Sequence, residues 1–481
     1  MNVIRIAAAA LIALLALTSC KKILNTSEDT FHTRMVNLIQ DSPTVQYKIE
    51  TTAVNSAAYQ SGTALAAARP GDHAISFQAI RPTSLVSTDT TDPIDLGGSF
   101  SHSFTKDTDY TIFAYGKLDN IQTLITEAPS GQAAVVDDNI ELTVLNAAAA
   151  QSALTVYVTV PNAGITSPQP IGTIGPGQKT TPNTMKLTRP ADATDTTSDL
   201  TSELTFEIHD ASGAVIFTSA TLTATEKTRY LFAITPNIGP GPSPVQLLGI
   251  DGATGVFTNT ADLGEVRVVH VSAGAPALDV YRASALNAPL FTNLAFRDHT
   301  NYASVPVGTI DLLGVPAGST ALQFLFIKEF ALAQGSSSSV YVLGPAGSLV
   351  STVLADNRRS VPTQASFRFL VVAPSQSATT GLDIYVTIPG QSLDFDASTS
   401  VTTDDAAQFK RATALVYENL TDYTTYKPDT YQVRVMATGT TTVLLDTSIT
   451  LTAGGVTTYV VNDDPDTGGG LELVPVEDAT P

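Results

Sequence analysis

The sequence has little cysteine, tryptophan and basic charge, and each shortage excludes a class of protein. One cysteine, Cys20, occurs in 481 residues, so no internal disulfide can form and the cores must hold the fold alone. The 25 basic and 45 acidic side chains give a net charge of −20, and such a surface repels nucleic acid. Tryptophan is absent, which argues against a carbohydrate-binding surface, because such surfaces commonly stack sugars on tryptophan rings.

The longest apolar run lies near the N-terminus and is too short to cross a membrane. Residues 6–17 read IAAAALIALLAL, whereas a transmembrane helix needs about 20 apolar residues. With Arg5 before it, this run has the layout of a cleaved secretion signal. The next residues, LTSC at 17–20, resemble the bacterial lipobox. The resemblance implies that Cys20 becomes the mature N-terminus and carries acyl chains such as palmitate. The alternative is an ordinary signal peptide that contains a thiol.

Lipidation would decide where the protein resides. Each buried CH₂ contributes about 0.8 kcal/mol, so two or three acyl chains anchor a protein stably. The remaining sequence has no other long uncharged apolar run, so we expect this anchor to be the membrane contact. Lys21 stands where an inner-membrane retention signal would place Asp, which favours the outer membrane. The predicted location is therefore the bacterial cell envelope, facing the periplasm or the cell surface.

Short alternating runs of apolar residues indicate β-strands. Examples are TFEI at 205–208 and YQVRV at 431–435, in which apolar residues recur at every second position. Clusters of Gly, Pro, Asn and Asp between the runs predict turns. Long helical periodicities are missing, so the sequence predicts an all-β fold.

The chain repeats itself. Residues 141–157, ELTVLNAAAAQSALTVY, align without a gap with residues 265–281, EVRVVHVSAGAPALDVY. Residues 367–385 form a longer copy and residues 34–47 a looser one. Copies two and four share YVTVP and YVTIP and are longer than copies one and three, which suggests the duplication of a two-module unit. A tyrosine that opens a later strand is a second signature, found at Tyr110, Tyr230, Tyr341 and Tyr459.

Each copy has about 100 residues and room for about seven short strands, the size of an immunoglobulin-like β-sandwich. The Cys-Trp-Cys hallmark of true immunoglobulin domains is absent, and an up-and-down barrel is the structural alternative. The predicted fold is an all-β tandem array of four immunoglobulin-like β-sandwich modules after a lipoprotein signal peptide. The predicted boundaries are 1–19 for the signal peptide, 20–33 for the lipidated cysteine and a tether, and 34–133, 140–250, 265–357 and 365–476 for the modules.

Copy three resembles a known bacterial family. It contains VRVVHVSAGAPALDVY and, from Pro289, PLFTNLAFRDHTNYASVPVGTIDLLGVPAGS. These segments are similar to domain of unknown function 4397, whose pattern has V-R-V-x-H and V-D-V-Y strands, with Leu278 replacing the first Val of the second strand here. The resemblance implies an exported bacterial surface protein. The family has no assigned activity, so it supplies no functional residues.

Motifs of catalysis or cofactor binding are missing from the sequence. It lacks G-x-S-x-G, H-E-x-x-H, a Walker loop and a G-x-G-x-x-G after a strand, and we expect no enzymatic activity and no cofactor. A calcium candidate is the segment in which Asn462, Asp464 and Asp466 alternate, as oxygen ligands do in calcium loops, and Glu472 could complete the shell. It lacks the glycine of a calcium loop, Pro465 stiffens it, and an acidic hairpin turn is the simpler interpretation.

His270 is the histidine of the family pattern. The internal alignment places Asn146 and Asn37 at its position in copies two and one, and Val371 in copy four. Asn can replace the hydrogen bonding of an imidazole but cannot act as a base near neutral pH. We therefore expect His270 to hydrogen-bond the turn at 272–276, a structural role.

The sequence thus predicts a lipid-anchored envelope protein that acts in non-catalytic binding, adhesion or scaffolding. Its predicted partners are the membrane, through the lipid anchor, and an unknown envelope protein or glycan. We expect no binding of nucleic acid. A carbohydrate-binding surface lipoprotein is the alternative, and an envelope enzyme is the third candidate.

Six histidines are spread over the chain, at His32, His73, His102, His209, His270 and His299.

Overall fold

The computed structural model of the protein describes residues 29–85, 89, 92–131, 134–189, 198–319, 323–377, 381–393 and 410–479. In these residues the regular structure is almost entirely β-strand, with one α-helical turn at Pro374–Ser377 and a 3-10 turn at Pro161–Ala163. No helix in the described ranges is both long and apolar enough to cross a membrane. The all-β prediction is confirmed.

The strands form four successive modules. Module one contains β1 (Phe31–Ile39), β2 (Val45–Ile49), β3 (Thr52–Ala57), β4 (Ser61–Gly62), β5 (Ala66–Ala68), β6 (Gly71–Ala79), β7 (Ile94–Asp95), β8 (Phe100–Phe104), β9 (Thr108–Lys117) and β10 (Asn120–Pro129). Module two contains β11 (Asn139–Asn146), β12 (Leu154–Val160), β13 (Ile165–Ile174), β14 (Asn183–Lys186), β15 (Thr201–His209), β16 (Val215–Thr218), β17 (Leu222–Thr225), β18 (Thr228–Pro236), β19 (Val245–Asp251) and β20 (Gly255–Phe257).

The second half of the chain follows the same order. Module three contains β21 (Gly264–His270), β22 (Leu278–Arg282), β23 (Phe291–Leu294), β24 (Asp298–His299), β25 (Ala303–Val305), β26 (Gly308–Pro316), β27 (Phe326–Leu332), β28 (Ser337–Leu343) and β29 (Val350–Ala355). Module four contains β30 (Ala365–Val371), β31 (Leu382–Thr387), β32 (Lys410–Leu415), β33 (Thr424–Tyr426), β34 (Asp429–Ala437), β35 (Val443–Leu451), β36 (Val456–Asp464) and β37 (Gly470–Ala479).

All four modules share one topology. The first strand pairs in parallel with a late strand, as β1 with β9, β11 with β18, β21 with β28 and β30 with β36. That late strand pairs antiparallel with the following strand, and we call this layer the first-strand sheet. A second sheet is built on the pairs β2–β6, β12–β15, β22–β26 and β31–β34, and we call it the outer sheet. Each module thus has two separate sheets, so the β-sandwich prediction is confirmed over the closed single-sheet alternative.

The repeat positions form the cores. Leu142 and Val144 on β11 are fully buried in the core of module two, and Val266 and Val268 on β21 occupy the same positions in module three. The next aligned set, Leu154 and Val156 with Leu278 and Val280, lies on the facing sheets of the same cores. Burying one such aliphatic side chain contributes about 1.5–3 kcal/mol. The internal alignment therefore identified equivalent core residues correctly.

The first-strand sheets are buried on both faces because neighbouring modules stack on them. Val36 of module one and Leu145 of module two meet in one apolar cluster, completed by Leu38, Phe113, Tyr115, Ala147, Ala233 and Leu248. Val269 of module three and Leu370 of module four meet in the equivalent cluster, completed by Val271, Tyr341, Leu343, Val372, Val460, Val474 and Val476. The four modules therefore form two pairs, one–two and three–four, in agreement with a duplicated two-module unit.

The sandwiches extend beyond several predicted boundaries. Phe31, in the predicted tether, is fully buried and stacks on Phe104 at 4.4 Å between ring centroids. Strand β20 pairs with β19, so module two continues past residue 250. The buried Asp478 lies after the predicted end of module four at 476. The first segment is held by a buried aromatic ring, β20 by its backbone pairing with β19, and the last segment by a buried aspartate.

Candidate functional site

The predicted lipidation site, Cys20, lies outside the described residues. So do residues 1–28 as a whole. Lipid attachment therefore stays a prediction from the sequence.

The calcium candidate is a meeting point of carboxylates in the β36–β37 hairpin, and a cation of the protein occupies it. The guanidinium of Arg297, from module three, lies 3.0 Å from Asp464, 2.7 Å from Asp466 and 2.6 Å from Glu472. Asn462 donates to the carbonyl of Val271 at 3.1 Å and to the carboxylate of Glu472 at 3.3 Å. Burial raises the pKa of Glu472, and Arg297 opposes that change. These side chains link modules three and four as an ion-pair cluster.

Among the described residues, no group of three or more His, Cys, Asp or Glu side chains could hold a metal ion. The histidines instead have local partners. The Nδ1 of His32 lies 2.9 Å from Asp109 and 3.3 Å from Ser130, and the hydroxyl of Ser130 donates to the same carboxylate. In a catalytic triad the two ring nitrogens contact the acid and the nucleophile separately, whereas here one nitrogen faces both. This trio is a hydrogen-bonded cluster at the edge of module one.

His270 makes the hydrogen bonds that the sequence predicts. Its ring is fully buried, Nε2 lies 3.2 Å from the carbonyl of Pro276, and Nδ1 accepts from the backbone N–H of Ser272 at 3.3 Å. Because Nδ1 accepts from Ser272, Nε2 is the nitrogen that donates to Pro276, and burial lowers the pKa of His270. His270 closes the turn after β21.

Asparagines replace His270 at the equivalent position of modules one and two and form the equivalent hydrogen bond. Asn37 accepts from the backbone N–H of Ile39 at 3.2 Å, and Asn146 accepts from that of Ala148 at 3.0 Å. The accepted N–H is two residues ahead in each case, as Ser272 is from His270. Three modules therefore fix this turn with an acceptor that requires no acid–base chemistry.

The most buried arginine of the described residues was not among the candidates predicted from the sequence. Arg267 of module three is 1% exposed and crosses to module four, where it binds Asp478 and donates to the carbonyl of Glu477 at 2.6 Å. Within its own module it donates to Ser339 at 2.6 Å. Its guanidinium carbon lies 4.6 Å from the ring centroid of Tyr302. Burying a guanidinium is tolerated because every side of it has a partner.

Arg368 of module four repeats this arrangement in the opposite direction. It binds Asp356 of module three at 2.8 Å and the carbonyl of Ala355 at 2.9 Å. It donates to Thr458 of its own module at 2.8 Å and lies 4.3 Å from the ring centroid of Tyr423. The two modules therefore exchange equivalent arginines across a local twofold relation.

Hydroxyl groups close the arrangement into a ring of hydrogen bonds. Ser339 and Tyr302 donate to Asp356 at 2.5 and 2.7 Å, and Thr458 and Tyr423 donate to Asp478 at 2.7 and 2.6 Å. Burial raises the pKa of Asp356, Asp478 adds to the rise, and Arg267 opposes it. We call this set the interface ring; its members are Arg267, Tyr302, Ser339, Asp356, Arg368, Tyr423, Thr458 and Asp478.

Modules one and two contain one of the two arginine–aspartate contacts. Arg34 stands at the position of Arg267, donates to Thr111 at 3.0 Å and forms two hydrogen bonds with Asp251 of module two, at 2.9 and 2.5 Å. Module two has Thr143 at the arginine position. The Arg34 and Asp251 side chains are 23% and 38% exposed, so this ion pair is far wetter than the interface ring.

A signal for the interface ring is present in the repeats. VRV at 266–268 and FRF at 367–369 place an arginine between two core residues. In modules three and four an aspartate also lies at the end of the last strand, with Asp356 directly after β29 and Asp478 as the penultimate residue of β37. An arginine between core residues of the first strand and an aspartate near the end of the last strand, present in both copies, indicate contact between the copies.

The paired two-sheet modules define a tandem β-sandwich protein. A family model described as domain of unknown function (DUF4397) matches residues 264–385, which cover module three and reach β31 of module four. The match confirms the resemblance of copy three. No curated protein matches the chain.

Solved structures with some similarity come from bacterial proteins. The C-terminal domain of AlgF from P. aeruginosa is 21% identical, with 20% of this chain and 98% of that chain covered and a TM-score of 0.16. The Bacillus anthracis TIE protein is 8% identical over 93% of this chain and 77% of that chain, with a TM-score of 0.15. A putative adhesin from Bacteroides ovatus is 8% identical over 48% and 96%, with a TM-score of 0.14. At these values the similarities carry no information about function.

Proposed function

We propose that this chain is a lipid-anchored cell-envelope protein whose modules act in non-catalytic binding, adhesion or scaffolding. The main support for the proposal is that the first-strand sheets are buried between neighbouring modules. Each packs on the sheet of a neighbouring module through a continuous apolar cluster, which leaves the outer sheet of each module for contacts with other molecules.

The interface ring supports this assignment because it makes a pair of modules rigid. Interfaces between domains are usually small and polar, and relative motion is then expected. Here modules three and four share an apolar cluster and two reciprocal arginine–aspartate contacts. A rigid array presents several surfaces at fixed spacing, which increases avidity for a partner with repeated sites.

The envelope location rests on the lipobox-like LTSC and is tested by Cys20→Ala. The variant is expected to lose labelling by an alkyne-tagged fatty acid and to leave the membrane fraction. Ser19→Ala is the matched control, since it keeps a small residue beside the cysteine and should be labelled like the wild type. A Cys20→Ala protein that is processed and stays in the membrane pellet would show that no lipid anchor holds it.

Binding is tested with the purified chain on isolated envelope material and on a glycan array. Saturable binding to an envelope protein supports the scaffold function, and selective binding to glycans supports the carbohydrate-binding alternative. Chemical change of the captured molecule would favour the third candidate, an enzyme.

A further inference from the structure

A cavity of about 440 Å³ lies where modules one, two and three and the connection to module four meet. We call it the junction cavity. Its lining includes Gln60 of module one, Gln246 of module two, Glu265 of module three, and Arg358 and Arg359 of the connection. Its volume is in the range of small-molecule sites, about 300–1,000 Å³.

Two side-chain amides in this lining have unused hydrogen-bonding capacity. Gln246 is 5% exposed, and the Nε2 atoms of Gln246 and Gln60 are buried without a hydrogen-bond partner in the described chain. Buried polar groups are normally satisfied, so two unsatisfied amides at one cavity need an explanation. Both nitrogens are covered by protein atoms in this rotamer. Rotation about the last side-chain torsion exchanges nitrogen and oxygen, and through it each amide can turn a donor or an acceptor toward a ligand hydroxyl.

The charges of the lining leave one cation without a carboxylate. Glu265 contacts Arg358, and Asp356 is bound by Arg368. Arg359 has no carboxylate within 4.0 Å in the described part of the chain; its guanidinium donates to the backbone carbonyls of Gln40, at 3.2 Å, and Ser42.

The surroundings of Arg359 favour an added anion. Its guanidinium carbon lies 4.4 Å from the ring centroid of Tyr59, which covers one face. Burial lowers the pKa of Arg359, and the nearby Tyr59 and Asp41 oppose that change without cancelling it. A carboxylate bound directly to the guanidinium would offset the loss of water. Arginine binds carboxylates in a planar, two-point geometry that lysine cannot reproduce.

We propose that the junction cavity binds a sugar acid, with its carboxylate on Arg359 and its hydroxyls on the amides of Gln60 and Gln246. This inference rests on the proposed binding function and names the ligand chemistry. A lone carboxylate would leave the amides unused, and a neutral sugar would leave the guanidinium without a counterion. The ligand that matches both features is a polyhydroxylated acid of monosaccharide or disaccharide size.

The test is calorimetric titration of the full chain with galacturonic acid, galactose and acetate. Galacturonic acid is expected to bind at least about tenfold more tightly than either control, because hydrogen bonds to a charged group commonly change affinity by about 10- to 100-fold. Its binding should weaken as salt is raised, since salt screens a charge–charge contact. Equal affinity for galactose, or no binding of galacturonic acid at millimolar concentration, would overturn the inference.

Two variants locate the site. Gln246→Met keeps the length of the side chain and removes its polar atoms, and Arg359→Gln removes the charge; each should weaken galacturonic acid binding at least about tenfold. Arg434→Gln, which loses contacts to Asp446 and to the carbonyl of Gln391 in module four, is the matched control, and because Arg434 does not line the cavity it should bind like the wild type.

Thermal melting of the same samples separates binding from folding. Wild-type affinity in both cavity variants would contradict the assignment. If both variants melt at a lower temperature than the wild type, the assignment is decided by the wild type alone. It must then bind galacturonic acid more tightly than galactose, and this binding must weaken as salt is raised. Failure of all sugar acids while the chain still binds envelope material saturably would reject the junction cavity and leave the proposed function standing.

Discussion

Replacing Arg267 with Met should destabilise the pair of modules three and four far more than the same change at Arg34 destabilises modules one and two. The Arg267 and Asp478 side chains are 1% and 0% exposed, so Arg267→Met leaves a carboxylate buried without its cation. Removing one partner of a buried ion pair costs about 3–5 kcal/mol. Arg34 and Asp251 are 23% and 38% exposed, and a partly exposed ion pair contributes about 0–1 kcal/mol.

Native-state hydrogen exchange of the full chain measures both sites in one experiment, because it reports the free energy of local opening. Peptides from β21 and β37 should lose several kcal/mol of protection in Arg267→Met, on the scale given for buried pairs. Peptides from β1 and β19 should change by about 1 kcal/mol or less in Arg34→Met. The double variant Arg267→Met/Asp478→Leu should recover part of the loss, since an apolar replacement of both partners is often neutral.

Two results would refute this reasoning. One is equal, small losses in Arg267→Met and Arg34→Met, which would mean that burial of the interface ring adds nothing. The other is a double variant as unstable as the single one, which would mean that the unpaired aspartate is not the cause.

The remaining predictions concern module three and are measured by urea unfolding of the full chain followed by circular dichroism and hydrogen exchange. His270→Asn should cost about 1 kcal/mol or less near neutral pH, because Asn37 and Asn146 make the equivalent hydrogen bond in other modules; a loss like that of a core deletion would contradict the structural role. Leu278→Ala, at a fully buried position, should cost about 2–5 kcal/mol, and a smaller loss would argue against the assigned core face. Because burial lowers the pKa of His270, the unfolded chain takes up a proton first, so wild-type stability should fall as pH drops below about 6.5. His270→Asn should lack this part of the pH dependence, and an unchanged slope would mean that another group titrates.

Sequence periodicity and internal repetition predicted the sandwiches because each core position repeats chemically. Leu142 and Val266, or Leu154 and Leu278, keep an apolar side chain at equivalent places, and such patterns can be found without any homologue. His270 was also interpretable, since Asn at the same position in two copies limited its chemistry to hydrogen bonding.

The pairing of modules was harder to predict, because the residues that form the interface do not follow the usual pattern of one buried and one exposed face in a strand. A charged residue such as Arg267 within a strand usually marks a solvent-facing position, and its partner Asp478 lies 211 residues away in sequence. The second face of β21 and β30 is apolar as well, so the alternation that predicts one buried face is weak in the strands that are buried on both sides.

The four tyrosines of the second signature do not all lie at equivalent positions of their strands. Tyr230 lies opposite Leu142 and belongs to the core of module two, whereas Tyr341 lies opposite Val269 and belongs to the interface between modules three and four. An odd shift in a strand moves a side chain to the other face of the sheet. The signature identified the correct late strand of each module. Tyr110 and Tyr230 are equivalent on it, opposite Thr33 and Leu142, whereas Tyr341 is shifted.

The most direct test of the proposed function is saturable binding of the purified chain to isolated envelope material, followed by mass spectrometry of the bound component. The account predicts binding that saturates and a captured protein or glycan that is recovered chemically unchanged after prolonged incubation. Binding that never saturates, or a component that is progressively cleaved or modified by the chain, would contradict a non-catalytic binding role.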